Sequence, residues 1–193
     1  MSKLFFGLVV LVSVVFTPAV LAEKAVLAGG CFWCMEKDFE ELEGVTDVIS
    51  GFTGGTAPDP TYRGDHTGHY EAVEITYDEA VLSYADILNH FWVNIDPFDA
   101  RGQFCDKGPS YLSAIFVANE EERRLAEKSR QAVVERFPNQ TVVTPILPAA
   151  EFYPIKGAEI GHQDFYKKNP VRYAAYRWGC GRDQRLAEIW GPK

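Results

Sequence analysis

The chain reads as an α/β protein of the α+β kind: a single-domain, two-layer sandwich with a mixed sheet. Three observations predict this. Short apolar runs suited to strands recur along the sequence, and segments with helical spacing lie between them. Loops marked by glycine and proline separate the two kinds, with no internal repeat and no low-complexity linker. At 193 residues the chain is long enough for one domain with a full core.

The elements follow in order. Residues 24–30 read as a buried strand, built on Ala25-Val26-Leu27-Ala28. Met35 to Leu42 reads as a short acidic helix ended by Gly44, and Thr46 to Thr53 alternates as a strand running into Gly54-Gly55. Pro58, Pro60 and Gly64 make Thr56 to His66 a loop. His69 to Tyr77 is the next strand. Ser83 to Asn94 is a helix with Ile87, Leu88 and Phe91 on one side, continued by Ile95. Pro97 to Pro109 is a long loop and Tyr111 to Val117 a strand. Asn119 caps a charged helix reaching about Phe137, where Glu120/Arg124 and Arg123/Glu127 are i,i+4 pairs on a solvated face. Thr141 to Ile146 is a further strand and Gly161 to Lys168 a last short helix. The remainder, rich in glycine, arginine and tryptophan, reads as a long irregular C-terminal tail.

Composition narrows the function. The apolar share of 47% and charged share of 24% are those of an ordinary globular protein. The net charge is −8, and Lys3 is the only charge in the first 22 residues, so the rest is more acidic still. No basic patch survives that balance, which argues against nucleic-acid binding. Residues 1–22 read as a signal peptide: Lys3 is a positive start, Leu4 to Phe16 an apolar run, and Val20-Leu21-Ala22 a small-residue cleavage site. As a helix the run reaches about 20 Å, short of the ~30 Å hydrocarbon core. The expectation is export, to a bacterial periplasm, with residues 23–193 as the mature domain and no stable membrane association after cleavage. The alternative is anchoring by an uncleaved segment.

Export puts the four cysteines (31, 34, 105 and 180) in an oxidising compartment. Only one CxxC is present, which argues against a four-thiolate zinc site. That pair lies in Gly29-Gly30-Cys31-Phe32-Trp33-Cys34-Met35-Glu36, just after the first strand. The pattern is strand, glycine turn, then a helix with a thiol in its first turn. Unpaired N–H groups at a helix start stabilise negative charge, so Cys31 is expected to favour the thiolate. Phe32 and Trp33 set an aromatic wall beside a nucleophilic sulfur, which suits a small, apolar substrate reactive at one atom.

In His69-Tyr70-Glu71-Ala72-Val73-Glu74-Ile75-Thr76-Tyr77, alternate residues share a face. Glu71 is in phase with Val73, Ile75 and Tyr77, so a carboxyl points with the apolar set. Burial raises a carboxyl pKa and yields an acid that stays protonated near neutrality. The competing reading is a strand-end residue whose carboxylate escapes to solvent. Tyr62 and Tyr111 sit in or beside long loops, where a tyrosine more often packs than catalyses. His66, His69, His90 and His162 show no metal-ligand spacing and read as hydrogen-bonded structural histidines.

Taken in order, Gly30-Cys31-Phe32-Trp33, Gly51-Phe52-Thr53-Gly54-Gly55, Tyr62-Arg63 and Gly68-His69-Tyr70-Glu71-Ala72-Val73 resemble the A-type peptide methionine sulfoxide reductases. The resemblance continues through Asp96-Pro97, Asp106-x-Gly108-x-x-Tyr111, Ala158-Glu159-x-x-His162-Gln163 and Asn169-Pro170, and covers nearly the whole mature chain. It implies a ferredoxin-like plait core. It implies that Cys31 is the nucleophile, that Phe32 and Trp33 hold the substrate S-methyl group, and that Glu71 protonates the sulfoxide oxygen. Tyr62, Asp106 and Tyr111 would bind that oxygen or the water around it. Pro109-Ser110 and Cys105 depart from the usual pattern.

The implied reaction reduces the S epimer of methionine sulfoxide, free or in proteins, and so repairs oxidised proteins. Cys31 becomes a sulfenic acid, a second thiol condenses with it to an intramolecular disulfide, and an external dithiol such as thioredoxin restores both thiols. No metal or organic cofactor is implied, and the protein is expected to be a monomer. Cys34 and Cys180 stand level as the resolving thiol, with Cys105 third; a static Cys105–Cys180 disulfide is the alternative. A rival class is a thioredoxin-like thiol–disulfide oxidoreductase using Cys31 and Cys34, with Thr144-Pro145 imitating its proline loop. That chemistry would not need Glu71, Tyr62 or Tyr111.

Overall fold

The computed structural model describes residues 22–192, so all of the leader expected at 1–22 except Ala22 lies outside the described residues. The chain opens with β1 (Ala22–Gly29), α1 (Phe32–Glu40), β2 (Val45–Thr53), β3 (Tyr70–Asp78) and α2 (Tyr84–Trp92). A two-residue hairpin, β4 (Gly102–Gln103) and β5 (Asp106–Lys107), precedes β6 (Ser113–Val117). Then come α3 (Glu120–Arg136), β7 (Ile146–Pro148), β8 (Phe152–Pro154), α4 (Phe165–Lys168), α5 (Pro170–Gly179) and α6 (Arg182–Trp190).

Six strands form one sheet in the order β7-β6-β1-β3-β2-β8. The four inner strands, β6-β1-β3-β2, pair antiparallel throughout, which is the expected ferredoxin-like plait. The β6–β7 pair is parallel and makes the sheet mixed. α1, α2 and α3 pack on one face, where Leu27, Val73, Ile75, Phe39, Ile87 and Ile115 are fully buried. The other face carries a smaller set, Ala28, Ala72, Ala114 and Phe116. Period-2 alternation therefore assigns β3 correctly: Val73, Ile75 and Tyr77 face the helices and Ala72 faces away.

Local chemistry sets the helix starts. Ser83 caps α2 with a full capping box, accepting from the Asp86 N–H while the Asp86 carboxylate accepts from the Ser83 N–H. Asn119 caps α3 by accepting from the Glu122 N–H at 2.9 Å.

Two expectations need correction, and one strand is added. The C-terminal tail is not irregular. Pro170 stands at the first position of α5, Gly181 at φ +68° separates α5 from α6, and Tyr173 and Leu186 bury one side of each helix. Glycines read as signs of irregularity mark the junction between two helices instead. The strand expected at Thr141 to Ile146 begins only at Ile146. Its earlier residues bond elsewhere, the Val143 N–H to the Pro97 carbonyl and the Pro145 carbonyl to the Ile115 N–H. The edge strand β8 is unanticipated, being three residues long and ending in proline.

Candidate active site

The end of β1, the start of α1, β3, the β4–β5 hairpin and the C-terminal helices meet at Cys31. Gly30 makes the turn at φ +83°, and a Cβ there would lie 2.5 Å from Gln103 Cβ. Gln103, fully buried, holds the 96–106 loop by donating to the Asp96 carbonyl and accepting from the Asp96 N–H, both at 2.8 Å. Cys31 is the residue that caps α1, and its carbonyl accepts from the Cys34 and Met35 N–H groups. Cys34 therefore stands in the first turn.

Glu71 is 2% exposed, in phase with the core as expected. Its Oε2 accepts from the Phe32 N–H at 3.1 Å, so the free N–H at the helix start faces this carboxyl. Burial raises the Glu71 pKa to about 8, and nearby Asp106 adds to the rise. The Phe32 N–H and the Tyr111 hydroxyl oppose it by bonding to the charged form. The outcome is a carboxyl that carries its proton at neutral pH.

The expected low pKa of Cys31 is not what the structure gives. Burial, then the hydrogen bond and charge of Cys34, push the Cys31 thiol well up. Cys34 moves the other way, to about 7, chiefly through the hydrogen bond from Cys31 and then through the charges of Arg182 and Arg177. Of the two free, buried thiols, Cys34 is therefore the one that gives up its proton first. Helix-start polarity favours charge at Cys31 only while the N–H groups there are available, and Glu71 takes the Phe32 N–H.

The aromatic pair is placed as follows. Phe32 is fully buried against Phe52, Tyr62 and His162. Trp33 is half-buried, stacked on Phe165 at 3.8 Å, and donates through Nε1 to His162 Nδ1 at 3.2 Å. Tyr62 lies against His162 with the rings tilted by 40° and their centroids 3.9 Å apart, and its loop is pinned by the Glu159 carboxylate. Burial, and then the nearby ionisable Glu71 and Cys31, push the Tyr62 hydroxyl up to about 12; the same causes hold Tyr111 high, so both remain donors. Asp106 accepts a hydrogen bond from the Tyr176 hydroxyl and lies 3.9 Å from Cys180 Sγ.

Cys180 is joined to Cys105, closing a disulfide beside Asp106 and leaving Cys34 the only other free thiol near Cys31. Sequence reasoning missed Tyr176, which hydrogen-bonds both Asp106 and Cys31. It also missed His162 as the partner of Trp33. The spacing Tyr173-x-x-Tyr176-Arg177 after Asn169-Pro170 marks one helix face and was the available signal. His69 is structural as expected, bonded to the Gly55 N–H and the Ala57 carbonyl.

Two clusters of metal-type ligands occur among the described residues. In one, Cys105 and Cys180 are tied up in their disulfide. In the other, Glu36 accepts from Ser50, Gln163 and the Asp164 N–H, and Glu40 and Asp164 pair with Lys167. Internal partners thus account for both clusters.

A buried thiol pair faced by a protonated carboxyl and two tyrosine hydroxyls defines a thiol-dependent reductase equipped to protonate what it reduces. A family model described as peptide methionine sulfoxide reductase matches residues 23–193. A peptide methionine sulfoxide reductase of Caulobacter vibrioides, MsrA 2, is 51% identical over 180 residues, covering 90% of each chain. Methionine sulfoxide reductase A of Corynebacterium diphtheriae superposes with a TM-score of 0.68 at 31% identity, over 80% of this chain and 77% of that one. Mxr1 from Saccharomyces cerevisiae, solved in complex with Trx2, shares the fold at a TM-score of 0.53 and 19% identity, over 79% and 90% of the two chains. The chain belongs to the A-type peptide methionine sulfoxide reductase family. That membership sets aside the thioredoxin-like alternative.

Proposed function

We propose that this protein reduces the S epimer of methionine sulfoxide with Cys31 as nucleophile, Glu71 as general acid and Cys34 as the first resolving thiol. The observation that carries the assignment is Glu71, a protonated carboxyl beside the turn that bears Cys31. Sulfoxide oxygen leaves only when protonated. Glu71 supplies that proton as the Cys31 sulfur bonds to the substrate sulfur, and Tyr62 and Tyr111 donate to the oxygen as its charge shifts. Asp106 orients the group through Tyr176. Phe32 and Trp33 line the side that receives the S-methyl group.

The protonated oxygen then moves from substrate sulfur to Cys31 sulfur as the bond between the two sulfurs breaks, giving Cys31 sulfenic acid and methionine. The Cys34 thiolate then attacks the Cys31 sulfur. The S–S bond forms, the S–O bond breaks, and the oxygen leaves as hydroxide, which takes a proton to become water. A thioredoxin-like dithiol supplies the two electrons that reopen the bond. Glu71, the two cysteines and the external dithiol supply the protons and electrons of this sequence, so the reading calls for no metal or organic cofactor. With an acidic chain and a leader at residues 1–22, the protein acts as an exported, periplasmic monomer repairing oxidised proteins, without nucleic-acid or lasting membrane contact.

The test is turnover of each epimer of a methionine sulfoxide peptide with a chemical dithiol, in wild type and Glu71→Gln. S-selective turnover that collapses in the variant is expected. Equal turnover of both epimers, or full activity in Glu71→Gln, overturns the assignment.

A further inference from the structure

Arg182 is the largest fully buried side chain among the described residues, and the active-site chemistry just described does not use it. It enters the core from the first position of α6. Its guanidinium donates to the Asn94 carbonyl at 2.7 Å and the Gly29 carbonyl at 3.3 Å, and lies 4.5 Å from the centre of the Phe104 ring. Its Nε faces Asp38 Oδ2 at 3.6 Å, and both of those atoms are buried without a hydrogen bond. Asp38 Oδ1 accepts from Arg177 of α5 at 2.8 Å. Arg177 also donates to the Tyr173 hydroxyl, and Tyr173 packs on Cys34.

Two guanidinium groups thus share one buried carboxylate, one helical turn past Cys34 in α1. Burying an arginine this completely is costly unless its charge is compensated. Cys34 is faced by Cys31 and Asp38 from its own helix region, by Tyr173, Tyr176 and Arg177 from α5, by Arg182 from α6 and by Glu71 from β3. The two arginines are the cations in this set.

We propose that Arg182, assisted by Arg177, is a positioning residue for the recycling half of the reaction: the α5–α6 pair, docked on Asp38, brings positive charge to Cys34 and makes it the thiol that attacks oxidised Cys31. The inference rests on the reading that Cys34 resolves Cys31. It gives the C-terminal helices a task in the reaction. The Cys105–Cys180 disulfide, two residues before α6 begins, holds them in place for it.

The test titrates Cys34 by the ultraviolet absorbance of its thiolate in a Cys31→Ser background, which retains a hydroxyl donor and leaves one free thiol. Arg182→Met, and Arg177→Gln should Arg182→Met not fold, are expected to raise the midpoint. Asp38→Asn is expected to lower it. All three substitutions break the same ion-pair cluster, so a purely structural role moves them together, whereas charge moves them apart. With Cys31 present, a return of the Cys34 midpoint from about 7 toward the ~8.5 of a free cysteine slows disulfide formation relative to methionine release on the order of tenfold at neutral pH. Midpoints that shift in one direction in both charge classes, or not at all, overturn the proposal. Wild-type protein that forms no Cys31–Cys34 bond in a single turnover instead overturns the reading beneath it, and the titration tells the two failures apart.

Discussion

Tyr176 and Asp106, 70 residues apart in sequence, share a hydrogen bond, and a disulfide closes on either side of it: Cys105 precedes Asp106, and Cys180 follows Tyr176 by one helical turn. The tyrosine hydroxyl also bonds to Cys31. The C-terminal helix is thereby part of the site. Tyr176→Phe removes one charge-assisted hydrogen bond, ~1.5–3 kcal/mol, so methionine release in the first turnover is expected to slow by about ten- to a hundredfold. Rapid mixing with one equivalent of sulfoxide measures it. An unchanged rate makes Tyr176 a packing residue only.

Cys31→Ser is expected to abolish sulfoxide reduction even with excess chemical dithiol, because Cys31 stands at the turn that the Glu71 carboxyl faces and is the thiol assigned to attack the sulfoxide. Retained turnover in this variant would sink the mechanism.

The pH dependence of the first turnover follows from two groups. Cys34 gains its negative charge as pH rises through about 7 and can then accept the proton of its hydrogen-bonded neighbour Cys31 as that thiol attacks, and Glu71 loses its proton through about 8. The rate is therefore expected to rise through the first value and fall through the second, giving a narrow bell. Glu71→Gln is expected to slow the step by ~10²–10⁴ and to erase the falling limb. A variant profile that keeps the falling limb assigns it to another group.

Cys105–Cys180 closes a loop of 75 residues. Loop-closure entropy for that length corresponds to roughly 4 kcal/mol of stabilisation. Selective reduction, or a Cys105→Ser, Cys180→Ser double variant, is expected to lower Tm by roughly 10 °C. Calorimetry with and without a reductant checks this. An unchanged Tm means that the link exerts no constraint on folding.

Recycling separates the cysteines. After one equivalent of sulfoxide, mass spectrometry of wild type is expected to find a Cys31–Cys34 bond. Cys34→Ser is expected to stall as sulfenic acid, because Cys180 is held in its disulfide with Cys105. If the Cys34→Ser, Cys180→Ser double variant still turns over fully with thioredoxin, neither thiol is required and the recycling scheme is wrong.

Much of this protein is determined locally. Apolar alternation placed Glu71 on the face of Val73, Ile75 and Tyr77, because a strand has only two faces and the core claims one. The glycine turn before Cys31 and the caps at Ser83 and Asn119 are equally local, each decided within a few residues by backbone geometry. Ordered motifs identified the family. Which thiol carries charge, which cysteines pair and what lies over Cys31 are different in kind. Each depends on groups distant along the chain: Glu71 on the Phe32 N–H, Arg182 beside Asp38, and Cys180 joined to Cys105. Burial and Coulomb interactions depend on distance in space, and sequence spacing does not encode that distance until the sheet and the C-terminal helices have closed around the site.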